Sequence, residues 1–410
     1  MTLTLKKYLF PISLVVFYCT FIKVYPQQIS SVADDFISAI NSGNRIELTQ
    51  FIKYNYDEKI LNRIPVERMV SLYMKFFYES VGLGYDKISE PEFENGKISV
   101  SYRNNFTNAF VKLNIPFNKD KISGFIDMKL INPENIKQIN QSDIISGLES
   151  CIDLLEKDDE FSGTILFAKN GNILYENAVG EASKSYKVKN SIETKFNIAS
   201  VGKIFTAMAI IQLMENNKLS FDDLISKYVD STWLNPAISS KILIKHLLTH
   251  TSGLGDYFKD VYSQCDIQYF KELNDYKYLI ADDTLQWEPG TKFSYSNTGY
   301  ILLGVIIEKI TGVEYFDYLK KNIFEPAGMQ NTYGFSKDEP VENRATGYTK
   351  QFDKEKITWN NHQFTKIMKG SPSGGVYSTS EDLFKFAVAL SNGKIIPMKA
   401  GNMFMKVILN

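Results

Sequence analysis

Histidine is nearly absent, with three in 410 residues, at positions 246, 250 and 362. That leaves little room for a His-rich metal cluster, and neither a metal nor another cofactor is expected. Three cysteines, Cys19, Cys151 and Cys265, cannot make a disulfide framework. Neither sign of charge is in excess, with 46 Lys and Arg against 47 Asp and Glu. Without a surplus positive field there is no electrostatic ground for a nucleic-acid partner. Proline is scarce, at 12, and no repeat or low-complexity tract occurs. Against these shortages, 44% of the residues are hydrophobic and 13% aromatic. Global disorder does not fit that composition, and at about 100 to 200 residues per domain the length points to two or three domains.

The first residues read as an address. Lys6 and Lys7 precede an uncharged stretch from Tyr8 to Ile22, the pattern of a secretory signal peptide. The stretch is short for a membrane span of about 20 residues. Residues 1–26 are therefore expected to direct the chain to the periplasm or outside, with no stable membrane insertion after cleavage. Val24-Tyr25-Pro26 is a poor small-residue cleavage site, so an uncleaved anchor is the alternative. Phe17 and Tyr18 stand where small residues normally precede a lipid-modified cysteine, which argues against lipidation of Cys19. An oxidising compartment would permit Cys151 and Cys265 to pair. Two unpaired thiols, each in its own partly buried segment, is the reading adopted.

Residues 27–138 predict a small α+β domain. Apolar positions recur at helical spacing over 29–54, with Val32, Phe36, Ile37 and Ile40 on one face and Ser42-Gly43 ending the run. A second helical segment covers 67–79. Period-two patterning follows (Ile98, Val100, Tyr102; Ala109, Val111, Leu113), with turns at Asn95-Gly96 and Asn118-Lys119. Helices leading into a curved antiparallel sheet, with the Asn41-Ser42-Gly43-Asn44 turn, resemble NTF2-like or cystatin-like domains. The polar segment 132–143, without an aromatic residue, reads as a linker, so a second domain is expected over 139–410.

Residues 162–178 predict a hairpin around Asn170-Gly171. Next, Ser200 and Lys203 precede a run from Ile204 to Met214 that is apolar on nearly all sides, as in a core helix. Three residues apart, they share a face. An amine beside a hydroxyl is the minimum device for a nucleophilic serine, since a desolvated lysine loses its proton near neutral pH. Amides at the helix N-terminus would favour an oxyanion. Ser-x-x-Lys recurs at Ser391, on an Asn-Gly turn that resembles a helix ending, and Tyr-x-Asn occurs at Tyr102, Tyr175 and Tyr295. Only Tyr295-Ser296-Asn297 follows Ser200, on a loop opened by Trp287-Glu288-Pro289-Gly290. There a tyrosine hydroxyl can relay a proton, while an asparagine amide can orient Lys203 and bond a substrate carbonyl. On spacing alone the commoner reading is an exposed turn with an Asn cap.

Order decides between the two. The segments FNIASVGK (196–203), IKHLLTHTSGL (244–254), EPGTKFSYSNTGYILLGVIIEKITG (288–312), FEPAGMQNT (324–332), RATGY (344–348) and SGGVYSTSEDLFKFA (373–387) resemble the serine β-lactamase and penicillin-binding-protein superfamily. The nearest branch is the class C type, with its carboxypeptidases, aminopeptidases and esterases. The resemblance runs from about residue 144 to 394. It implies an antiparallel sheet flanked by helices, an all-helical lobe and a site between them. It also implies Ser200 as nucleophile, Lys203 as its base partner, Tyr295 as second proton carrier and Asn297 as substrate-orienting amide. His246 and His250 then belong to a structural helix and turn beneath the site. Arg344 reads as a semi-buried ion-pair residue.

The family pattern calls for a third motif, His-x-Gly or Lys-Thr-Gly, on a strand lining the site, and neither tripeptide follows Gly375. The tail after Lys394 (IIPMKAGNMFMKVILN) leaves the pattern, so the domain is expected to be C-terminally incomplete. The hairpin would then lack partner strands, the second oxyanion amide would be missing, and catalysis would be impaired. The reading is a secreted serine hydrolase that acylates Ser200 on an amide, ester or β-lactam carbonyl of a small-molecule or peptide substrate. The alternatives are a catalytically impaired remnant and a non-hydrolysing penicillin-binding sensor.

Overall fold

A computed structural model describes residues 31–132, 138–258, 266, 269–353, 357–361 and 368–397. The signal segment 1–26, Cys19, Cys265 and the tail from residue 398 lie outside these residues. The chain forms two units, the first comprising residues up to Phe161 together with 349–360, the second comprising 162–348 and the residues from 361 onward.

In the first unit the long helical run divides in two. Helix α1 (31–41) buries Phe36, Ile37 and Ile40, the expected face. Asn44 then restarts the chain as an N-cap, its side chain accepting from the Ile46 amide at the head of α2 (Arg45–Asn55). Helix α3 (Val66–Glu79) buries Met69, Val70, Tyr73, Met74 and Phe76. Six strands follow: β1 (Tyr85–Lys87), β2 (Glu92–Glu94), β3 (Lys97–Asn104), β4 (Phe110–Asn118), β5 (Lys121–Ile122) and β6 (Asp127–Asn132). All pairings are antiparallel, with β3 against β1, β2 and β4, and β4 against β5 and β6. Alternation puts Ile98, Val100 and Tyr102 of β3 inside, where they join the helices in one core.

The unit extends past the expected linker. Asn140 caps α4 (Gln141–Lys157) by accepting from the Asp143 amide, and the helix lays Cys151, Leu154 and Leu155 on the first core. A polar first turn conceals an amphipathic helix, so the units divide at Phe161/Ser162 rather than at 138/139. Cys151 is a half-buried free thiol. The hairpin of β10 (Tyr348–Phe352) and β11 (Ile357–Asn361) contributes Lys350, which pairs with Glu160 at 2.8 Å, and Trp359, whose Nε1 donates to Asp159 at 2.8 Å.

The second unit opens with β7 (Gly163–Lys169) and β8 (Asn172–Val179). Asn170 and Gly171 turn the chain with φ of 52° and 77°, the paired positive values that a two-residue hairpin turn needs. Among the described residues β7 and β8 pair only with each other, and helix α8 (Ser380–Ser391) packs against β7. At the centre lies α5 (Lys203–Glu215), whose Phe205, Ala207, Met208, Ala209, Ile210, Ile211 and Leu213 are all buried. Phe205 meets Phe324 and Phe386 edge-on, each at 5.1 Å between ring centres, the geometry aromatic quadrupoles favour. Helix α7 (Asn297–Thr311) packs alongside α5 and is apolar from Tyr300 to Ile307. Two helices without a polar face can exist only with other elements all round them. Among the described residues no helix is long and apolar enough to cross a membrane.

Candidate active site

Ser200 stands on a 3-10 turn, Ala199–Gly202, immediately before α5. The turn is held from several sides. Ala199 has φ of +47°, a costly conformation for a residue with a Cβ, and its amide donates to Asn197 Oδ1 at 2.9 Å. Strand β9 (Phe196–Asn197) pairs with β12 (Tyr377–Ser378). Between β12 and the nucleophile turn, the Gly375 amide donates to the Ala199 carbonyl at 3.2 Å. Gly374, at φ +136°, approaches so closely that a Cβ there would sit 2.6 Å from the same carbonyl oxygen. The Ser-Gly-Gly segment is thus the back wall of the nucleophile turn.

Lys203, only 7% exposed, begins α5 and reaches three oxygens. Its Nζ lies 3.3 Å from Ser200 Oγ and 2.7 Å from Asn297 Oδ1, and it also bonds the Ser373 carbonyl. Burial pulls its ammonium down to about 8, with the Asp256 carboxylate opposing the shift. The rings of Tyr295 and Tyr300 lie 4.9 and 5.4 Å from the nitrogen. Tyr295, 45% exposed, donates its hydroxyl to Ser200 Oγ at 2.8 Å. Asn297 starts α7 behind the N-cap Ser296, which accepts from the Gly299 amide and donates to the Gly255 carbonyl. The four residues singled out from sequence therefore meet around one exposed hydroxyl. Ser391 ends α8 with its hydroxyl on the Val388 carbonyl.

Two neighbours lie outside that set: His250, which the resemblance assigns to a structural turn beneath the site, and Asp256. His250 stacks on Tyr295 at 4.5 Å and on Tyr300 at 5.1 Å. Burial, then the Lys203 charge, pull its pKa down to about 4, so it is neutral at working pH. Its Nδ1 accepts from the Ser296 amide at 3.2 Å, which puts the ring proton on Nε2. Asp256 holds Asn297, with Oδ2 2.9 Å from Nδ2 and 3.1 Å from the backbone nitrogen. Their place in the THTSGLGD segment was the available signal. His246, on the short helix α6 (Ile244–Leu248), uses Nδ1 to accept from the Leu243 amide. Arg344 corrects an expectation. Its guanidinium bonds the Ser336 and Lys337 carbonyls at 2.7 and 3.1 Å and lies over the Tyr377 ring, because its fork of donors suits carbonyls as well as a carboxylate.

The chain belongs to the Beta-lactamase family, whose model matches residues 150–406. A penicillin-binding protein of Bacillus subtilis (strain 168) is 33% identical over 253 residues, covering 59% of this chain and 55% of the relative. The chain thus spans little more than half of that relative's length. A solved penicillin-binding protein from Bacillus halodurans superimposes with a TM-score of 0.55 at 34% identity, over 61% of this chain and 75% of that one. A D-amino acid amidase from Ochrobactrum anthropi SV3 does so at 0.50 and 25%, over 60% and 71%. These likenesses make the second unit a β-lactamase-like fold with mixed helices and strands.

Proposed function

We propose that the chain is a serine hydrolase that forms an acyl-enzyme on Ser200 with an amide, ester or β-lactam carbonyl. The observation that carries this is the coordination of Lys203. Asn297 Oδ1 and the Ser373 carbonyl are acceptors only, so they engage two of its N–H bonds. The remaining tetrahedral direction faces Ser200 Oγ. When Lys203 is the free amine, that direction carries the lone pair, aimed at the proton to be removed.

In this reading Lys203 takes the Ser200 proton as the Oγ–carbon bond forms. Tyr295, already bonded to Oγ, gives its hydroxyl proton to the departing nitrogen or oxygen as the bond to the carbonyl carbon breaks, and Lys203 ammonium restores it. One proton has then moved from serine to leaving group. Water attacks the acyl-enzyme through the same pair in reverse. Relatives named for penicillin binding and for D-amino acid amides support a substrate whose reacting carbonyl belongs to such a group. The uncharged stretch behind Lys6 and Lys7 supports export, with the site facing the periplasm or the exterior. The order of helices and antiparallel sheet in the first unit supports an NTF2-like or cystatin-like reading of it.

The test is turnover of a chromogenic β-lactam, a D-amino acid anilide and a short-chain ester by the full chain. At least one should be hydrolysed, and Ser200→Ala should reduce that rate to background while Ser391→Ala leaves it unchanged. Hydrolysis that survives Ser200→Ala would sink the proposal.

A further inference from the structure

We propose that Asp256 is a positioning residue that fixes the orientation of the Asn297 amide and, through it, the aim of Lys203 at Ser200. This rests on Ser200 being the nucleophile. Asp256 lies on the loop after α6, half-buried and remote in sequence from both residues it serves. Its Oδ1 accepts from the Phe258 amide at 3.0 Å. Its Oδ2 accepts twice from Asn297, from the backbone nitrogen at 3.1 Å and from Nδ2 at 2.9 Å.

The consequence is chemical rather than steric. The two ends of an asparagine amide are nearly the same size, so shape does not choose between its two orientations. An ionised carboxylate only accepts, so the edge of Asn297 that faces Asp256 must be the NH2 group. The carbonyl end is then turned to Lys203, where Oδ1 sits 2.7 Å from Nζ. Reversal would set oxygen against carboxylate and N–H against the lysine donors, replacing two bonds by two repulsive contacts. With Asn297 so fixed, one Lys203 N–H is committed and the direction toward Ser200 stays open.

The titratable groups facing Lys203 are Tyr295, Tyr300, His250 and Asp256, while the Ser371–Gly375 turn supplies the Ser373 carbonyl. Asp256 is the acid among these, so removing its charge also changes lysine protonation. Measuring at about pH 9.5, where Lys203 is the amine in every variant, removes that effect and leaves the geometric one.

The experiment is a double-mutant cycle on the full chain, reading the single-turnover rate of labelling by a fluorophosphonate probe. Asp256→Leu is nearly isosteric but accepts no hydrogen bond, so nothing at position 256 chooses between the two orientations of Asn297. We expect it to slow labelling roughly 10- to 100-fold, within the range for a misplaced catalytic group. Asn297→Ala should cost at least as much, and the double variant should match Asn297→Ala alone to within about 3-fold, the mark of one residue acting through another. Asp256→Ala supplies the same cycle if the leucine variant does not fold. Labelling by Asp256→Leu at the wild-type rate, or losses that multiply in the double variant, overturns the role of Asp256. Labelling that persists in Ser200→Ala overturns the underlying nucleophile assignment instead.

Discussion

At the scale of single residues, the site combines an exposed hydroxyl with a buried amine, and the contrast sets its pH behaviour. Lys203 is lowered to about 8, so acylation should rise about tenfold per pH unit below 8 and level off above it. Stopped-flow labelling from pH 6 to about 10 checks this, and a flat profile would contradict it. The same shift acts on stability. From about 8 up to the ordinary value of 10.5 the unfolded chain holds a proton that the folded chain has released, so unfolding free energy should increase with pH across that window. Lys203→Met should remove the increase. Lys203→Arg should not restore activity, because guanidinium stays protonated, and Tyr295→Phe should cost about 10²- to 10⁴-fold in rate. Ser200, Lys203, Tyr295 and Asn297 were legible from the order of the segments that carry them, since Ser-x-x-Lys and Tyr-x-Asn each recur elsewhere in the chain. Asp256 was not, since a single loop carboxylate has no periodicity, and its partner is reached only by folding.

Secondary elements supply the rigidity that these distances need. The turn carrying Ser200 is pinned between α5 and the Ser373–Gly375 segment, where backbone touches backbone. Gly374→Ala should therefore push the nucleophile turn away from Lys203 and abolish labelling, with a loss of roughly 1 to 3 kcal/mol of stability for the strained φ and displaced contact. Chemical denaturation read beside labelling separates the two effects. An alanine variant that labels normally would show that the turn is supported elsewhere. Helix α5 was legible as an all-round apolar run, and the hairpin from Asn170-Gly171. The nucleophile turn itself was not, because its positive φ at Ala199 follows from contact with a segment far along the chain. Phe205→Ala, which empties the space between Phe324 and Phe386, should cost about 3 to 5 kcal/mol.

For the molecule as a whole, each unit has its own core, and residues 349–360 belong with the first while lying in the sequence of the second. The Lys350–Glu160 pair and the Trp359–Asp159 hydrogen bond tie this hairpin to the chain just after α4. A chain begun at residue 162 would expose that surface and leave Lys350 without its acid. It should express less soluble protein than the full chain, and Trp359→Ala in the full chain should lower its melting temperature. Sequence places the boundary at 138/139 rather than 161/162 because Asn140 to Asp143 are polar both as a linker and as a capped first turn. The packing of Cys151, Leu154 and Leu155 against the core distinguishes the two.

Everything in this mechanism turns on Ser200, aimed at by Lys203, being the residue that becomes acylated. Its most direct test is peptide mass spectrometry of the full chain after reaction with a fluorescent penicillin and, separately, with a fluorophosphonate. A single adduct is expected on the peptide containing Ser200, absent in Ser200→Ala and present in Ser391→Ala. An adduct on any other serine, or one that remains when Ser200 is replaced, would contradict it.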